Sequence, residues 1–228
     1  MAIYAISDFH LAFTTEKPMD VFGEKWLKHE EKIKNNWLHI INEEDTILIP
    51  GDISWSMKID ESMMDLEWIH NLPGRKIFVK GNHDYWWQSI SKLNNLYEDM
   101  KFIQNNHFSH GEHAICGTRG WICPGGEKFT ENDNKIYKRE LIRLRLSLES
   151  AVKEGFSKFI VMLHYPPSHD KKEESGFIDI LKEYNVEKVI YGHLHSVSKE
   201  KVLEGNIGGI EYYLTSCDYL DFIPIKIL

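Results

Sequence analysis

Five apolar, strand-like runs in this chain each end directly in a short polar block, and this repeated pattern restricts the fold more than any other feature. Ile3 to Ile6 leads into Asp8-Phe9-His10, Thr46 to Ile49 into Gly51-Asp52, and Lys76 to Val79 into Gly81-Asn82-His83-Asp84. Phe159 to Leu163 leads into His164-Tyr165-Pro166, and Lys188 to Tyr191 into Gly192-His193-Leu194-His195. Short apolar runs bounded by Gly or polar residues read as strands buried on both faces. Helical patterns separate the first three runs, so the order predicts an α/β fold. In open α/β sheets ligands bind outside the carboxyl ends of the strands, so all five blocks are expected to face one cleft.

The blocks share a chemistry. Asp8, His10, Asp52, Asn82, His164, His193 and His195 offer carboxylate, imidazole and amide donors and no thiolate, a set suited to Mn, Fe or Zn. Two such ions about 3.5–4 Å apart can bridge a hydroxide nucleophile and clamp a phosphoryl oxygen during in-line displacement. Hydrolysis of a phosphate ester is the reaction that uses this arrangement best. A lone His after a strand is more often structural, and a lone Gly-Asp is only a turn. Five blocks at five strand ends give the metal reading its weight. His107, His110 and His113 alternate closely, and read as a hairpin rather than a third metal site.

Taken in order, DxH, GD, GNHD, a strand ending in His, and GHxH resemble the motifs of the calcineurin-like metallophosphoesterase superfamily over residues 8–195. The resemblance implies a four-layer α/β/β/α sandwich of two mixed sheets flanked by helices, with a metal site at the strand carboxyl ends. It implies that Asp8, His10 and His195 bind a first metal, that Asp52 bridges, and that Asn82, His164 and His193 bind a second. It implies that His83 is no ligand but donates a proton to the leaving oxygen, with Asp84 orienting its ring. In the phosphatases of this superfamily the GD block continues as GDxxDRG, whereas here Trp55 and Ser56 stand where Asp and Arg would be. A monoester dianion thereby loses a bidentate partner. The GNHD ending also resembles the diesterase branch, so a phosphodiester is favoured over a monoester. Arg119 is a candidate to replace the missing charge, and Trp55 and Tyr165 are candidate walls of the substrate pocket.

Composition limits the alternatives. At 228 residues and 42% hydrophobic, the chain reads as one domain, residues 1–228, of ordinary globular type. No run approaches the roughly 18 apolar residues of a membrane span. The first strand leaves no room for a cleavable leader, so a cytoplasmic location is expected. Cys116, Cys123 and Cys217 are odd in number and without CxxC spacing, which argues for reduced thiols. The net charge of -8 disfavours nucleic acid and anionic membrane as partners and leaves a small phosphate ester as the expected one. Oligomeric state is not readable. The alternatives within the class are a phosphomonoesterase or protein phosphatase. The alternative outside it is a non-catalytic protein-binding scaffold, disfavoured because every ligand position and His83 are filled.

Periodicity predicts helices over about Met19 to Ile41, Asp60 to Asn71, Asp84 to Tyr97 and Asn132 to Glu154. The Gly117 to Lys128 loop reads as an insertion near the cleft. The tail from Ser196 reads as a strand meander turning at Gly205-Asn206.

Overall fold

In a computed structural model that describes residues 1–125 and 129–228, the apolar runs pair into two sheets. The first contains β1 (Ile3–Ala5), β2 (Thr46–Ile49), β3 (Arg75–Phe78) and β4 (Met100–Phe102), all parallel, with a C-terminal strand (Ile225–Lys226) antiparallel on the β1 edge. The second is built on β5 (Phe108–His110), β6 (His113–Thr118), β7 (Lys158–Leu163), β8 (Lys188–Tyr191), β9 (Gly205–Ile207) and β10 (Ile210–Leu214). Its order is β5-β6-β7-β8-β10-β9, with the central four parallel and the two edges antiparallel. The C-terminal strand is therefore β11.

Alternation along each strand explains the layers. Leu48, Ile77, Ile115, Ile160, Met162 and Ile190 form one buried cluster between the sheets. Their neighbours Ile47, Ile49 and Phe78 pack outward on α1 (His29–Ile40) and α2 (Ile59–His70) through Ile33, Trp37, Leu66 and Ile69. On the second sheet Ala114, Val161, Leu163, Val189 and Tyr191 pack outward with Leu144, Leu148, Phe177 and Leu181. Those last four come from α4 (Glu131–Lys153) and α5 (Gly176–Glu183). Because side chains alternate with a period of two, a slip of one residue would exchange the inner and outer sets. Burying one such side chain is worth roughly 1.5–3 kcal/mol, so the register is firmly set. The architecture is the expected α/β/β/α sandwich of two mixed sheets. No helix among the described residues is long and apolar enough to cross a membrane.

Several local expectations are corrected. The helix predicted from Met19 is only α1. Gly23 at φ 124° and Lys28 at φ 53° break the run into two 3-10 turns, Met19–Phe22 and Glu24–Trp26, before it starts. The helix predicted after Asp84 shrinks to α3 (Ile90–Leu93), because Asp84 and the buried Trp86 are tied into a loop. Helix α5 is an element that periodicity missed; Ser175 caps it by accepting from the Ile178 amide at 3.2 Å. The tail turns at Gly208-Gly209, since Ile207 pairs with Ile210, and Gly205-Asn206 belong to β9. In the 117–128 loop, Gly117 and Thr118 end β6, and residues 126–128 lie outside the described residues.

Candidate metal centre

The carboxyl ends of β1, β2, β3, β7 and β8 gather on one edge, and two donor clusters form there. Asp8, His10 and His195 make one, and Asp52, His164 and His193 make the other. Asp52 lies between them: its Oδ2 is 3.8 Å from His10 Nε2 and 3.5 Å from His164 Nε2. Asn82 Oδ1 stands 2.7 Å from His164 Nε2 and 2.9 Å from His193 Nδ1. His195 Nε2 is 3.5 Å from Asp8 Oδ1 and 3.2 Å from His10 Nε2.

Local backbone strain accompanies this gathering. Asp8, His10, Asp52 and His193 all have φ between 49° and 72°, in the left-handed region that non-glycine residues seldom occupy. Such strain persists only where the surrounding structure over-determines it, and it clusters at functional sites. Close approach requires glycine at two positions beside them. A Cβ on Gly81 would overlap the backbone and carboxylate of Asp52, and one on Gly192 would overlap the Asp8 carboxylate.

The donor chemistry fits cations. His164 Nδ1 is 3.0 Å from the Pro50 carbonyl, so the proton sits on Nδ1 and the Nε2 lone pair faces the cluster. His195 Nδ1 donates to Asp218 Oδ1 at 2.8 Å, which turns its Nε2 toward the cluster. Burial pushes His10 well below its ordinary pKa, His164 down to about 3 and His193 to about 4, so all three are neutral, the ligating form. Burial, then the carboxylates of Asp8 and Asp84, push Asp52 well above the carboxylate range. Burial opposes charge on His195 as well, yet Asp218 and Asp8 outweigh it and push its pKa up to about 10. Cations bound among these donors would replace the protons that Asp52 and His195 otherwise hold, since ligands bind metal in their deprotonated form.

Asp218 went unnoticed in the sequence. It is nearly fully buried, and besides holding the His195 ring it accepts from the Ser196 amide at 3.0 Å. Carboxylates behind ligating histidines typically change metal affinity 10–100-fold. Asp218→Ala is expected to weaken metal binding by about 10–100-fold, measured by competition with a fluorescent chelator.

His83 stands beside the clusters rather than in either. Its ring is half-buried, with its centroid 4.2 Å from the Trp55 ring and 5.6 Å from His10. Its backbone amide donates to Asp52 Oδ1 at 2.8 Å, fixing the GNHD loop against the GD loop. The expectation that Asp84 orients the His83 ring is corrected. Asp84 is fully buried and accepts instead from the amides of Gly81, Asp52, Ile53 and Ser54 at 2.7–3.2 Å and from the Trp86 indole at 3.1 Å. Burial raises its pKa while those amides hold it back. Its role is to clamp two loops. Each orphaned buried donor costs roughly 1–3 kcal/mol, so Asp84→Ala is expected to lower unfolding free energy by at least about 3 kcal/mol, read from the denaturant midpoint.

The remaining candidates divide. Trp55 stacks on His10 at 4.9 Å between centroids and lines a cleft of about 340 Å³ together with Asp52, His83, His193 and His195. Lys17 holds its ammonium 4.7 Å from the centre of the Trp55 ring, a cation that sequence reading did not single out. Tyr165 lies 4.1 Å from the His193 ring and lines a larger cavity of about 610 Å³ that shares His193 with the first. Ser56 turns inward with Ser54 onto the buried carboxylate of Asp65, so the position where an Arg was missed is filled by a loop contact. Arg119 does not reach the cleft. It lines a separate cavity with Lys80, Arg139 and Arg143, which corrects its expected role. Among the described residues, His107, His110 and His113 form no donor cluster; they bond to Ser150, Thr46 and Glu187 respectively.

Comparison with known proteins agrees with this architecture. The profile of the calcineurin-like phosphoesterase family matches residues 1–197. The chain belongs to that family. The Gene 66 protein of Mycobacterium phage L5 is 31% identical over 78 residues, which are 34% of this chain and 37% of that protein. The match thus spans little more than a third of that relative's length. Among solved structures, TT1561 of Thermus thermophilus aligns with a TM-score of 0.60 and 13% identity, covering 98% of this chain and 96% of that one. The phosphopantetheinyl hydrolase PptH from Mycobacterium tuberculosis aligns with a TM-score of 0.58 and 13% identity, covering 100% of this chain and 95% of that one. At these identities the likeness is one of fold.

Proposed function

We propose that the two clusters hold a pair of divalent cations at which the protein hydrolyses phosphate esters, diesters in preference to monoesters. Asp8, His10 and His195 are the ligands of one ion, Asn82, His164 and His193 of the other, and Asp52 bridges. The observation that carries this reading is the position of the Asp52 carboxylate within 4 Å of ring nitrogens from both clusters. Bound there, the ions would supply positive charge to the phosphoryl oxygens and a nucleophile at neutral pH. Mn²⁺ is the first choice for these oxygen and imidazole donors, and Fe or Zn would also be accepted.

The protein's own groups supply the rest. Trp55 closes one side of the cleft, packed against the rings of His10 and His83. His83 gives its proton to the leaving oxygen. Burial, then Lys17, lower its pKa, and an incoming phosphate anion would raise it again. The diester preference is supported by the inward turn of Ser56, which leaves that block no cation for a second phosphate charge. Residues 1–228 act as one unit in this proposal, since β11 near the C-terminus pairs with β1. A cytoplasmic location belongs to it too, supported by three buried free thiols.

The test is hydrolysis of a chromogenic phosphodiester and its matching monoester by the Mn²⁺-loaded protein. Faster turnover of the diester is expected. A monoester turned over faster would overturn the preference, and no turnover of either would count against the activity.

A further inference from the structure

The cavity that takes Arg119 away from the metal cleft is itself unusual. It encloses about 420 Å³ on the same edge of the fold, lined by Lys80, Arg119, Arg139 and Arg143. In a chain of net charge -8, four cations facing one small space need an explanation.

Glu140 is a partial one. It is fully buried at the base of the group, where Arg143 reaches it at 3.0 Å, Arg139 at 3.6 Å and Arg119 at 3.7 Å. Its other oxygen accepts from Thr118 Oγ1 at 2.5 Å. One carboxylate therefore serves three guanidinium groups, of which only the Arg143 contact is within hydrogen-bond distance. Asp84, behind Lys80, is already taken up by five N–H donors. Positive charge remains in excess.

The donors are also unspent. Arg119 Nε is buried and has no hydrogen-bond partner among the described residues. The Arg119 guanidinium is held in place by the Trp121 ring, 4.5 Å away, so the fork is pre-organised. Gln88, Ser89 and Gln104 add neutral polar groups to the lining, and Trp87 and Ile103 add an apolar wall.

We propose that this cavity is a second anion site, distinct from the metal centre, that takes a small molecule bearing a phosphate dianion. Guanidinium forks match phosphate and carboxylate oxygens alike. The excess of cations selects a multiply charged group over a single carboxylate, and the apolar wall leaves room for an organic substituent. The site adjoins the metal cleft through two strand ends: Lys80 is two residues from Asn82, and the Arg119 carbonyl accepts from the amides of His164 and Tyr165 at 3.0 and 2.9 Å. It does not depend on what the metal centre hydrolyses.

The experiment is calorimetric titration of the metal-loaded full-length protein with phenylphosphonate, whose carbon–phosphorus bond resists hydrolysis. Wild type is expected to show two binding events, of which the metal-centre event weakens with the loss of a cation in Asp52→Ala and the other survives unchanged. Arg139→Ala changes a half-exposed side chain and Gln104→Glu adds a negative charge to the lining, so both are expected to fold. Each is expected to weaken the surviving event by about tenfold or more while chromogenic ester turnover stays at the wild-type level. A single event in wild type would overturn the proposal. So would a second event of unchanged affinity in either variant, or benzoate binding there as tightly as phenylphosphonate.

Discussion

Replacing Asp52 by alanine is expected to lower phosphoester turnover by at least roughly 10²–10³-fold, the loss typical of removing one electrostatic stabiliser of a transition state. The reason is position. One oxygen of Asp52 lies within 4 Å of ring nitrogens from both donor clusters, and its other oxygen receives the His83 amide. Its removal leaves Asn82, His164 and His193 without a charged donor, so the second cation should be lost first. The first keeps Asp8, His10 and His195. Metal analysis after gel filtration is expected to fall from two equivalents in wild type to no more than one. A variant that retained both ions and full turnover would remove Asp52 from the bridging role.

His83→Ala is expected to lower turnover by roughly 10²–10⁴-fold, the usual contribution of a general acid, with metal content unchanged. The side chain belongs to neither donor cluster, while the backbone bond that fixes its loop survives the substitution. Loss of metal would therefore contradict the assignment. Leaving-group dependence separates proton donation from simple packing. A nitrophenolate leaves without protonation and an alkoxide does not, so the defect should be large for an alkyl ester and much smaller for a nitrophenyl ester. A defect of equal size for both would mean that His83 only shapes the cleft.

Much of the candidate site was legible because its residues are local signals. Each block follows a buried strand, and the parallel order of β1, β2, β3, β7 and β8 sends their carboxyl ends to one edge. What escaped depends on contacts distant in sequence. Asp218 follows β10, and nothing local says that β10 lies beside β8 and brings this carboxylate to His195. Arg119 read as a substitute for a missing cation because it precedes a loop near the cleft. Its direction is set by Glu140 and Trp121, one on α4 and one two residues further along its own loop. Asp84 looked catalytic from its place beside His83, but only the folded loops show five donors converging on it. The helical errors have a simpler origin. The period of Phe22, Trp26 and Ile33 is real, and Trp26 and Ile33 are buried in the same cluster, yet Gly23 and Lys28 turn the chain between them.

Two cations held side by side by Asp52 would show themselves most directly in electron paramagnetic resonance of the Mn²⁺-loaded protein. The expected spectrum is that of an exchange-coupled pair in wild type, replaced in Asp52→Ala by that of isolated Mn²⁺. A wild-type spectrum of isolated ions at every metal load would contradict the paired site.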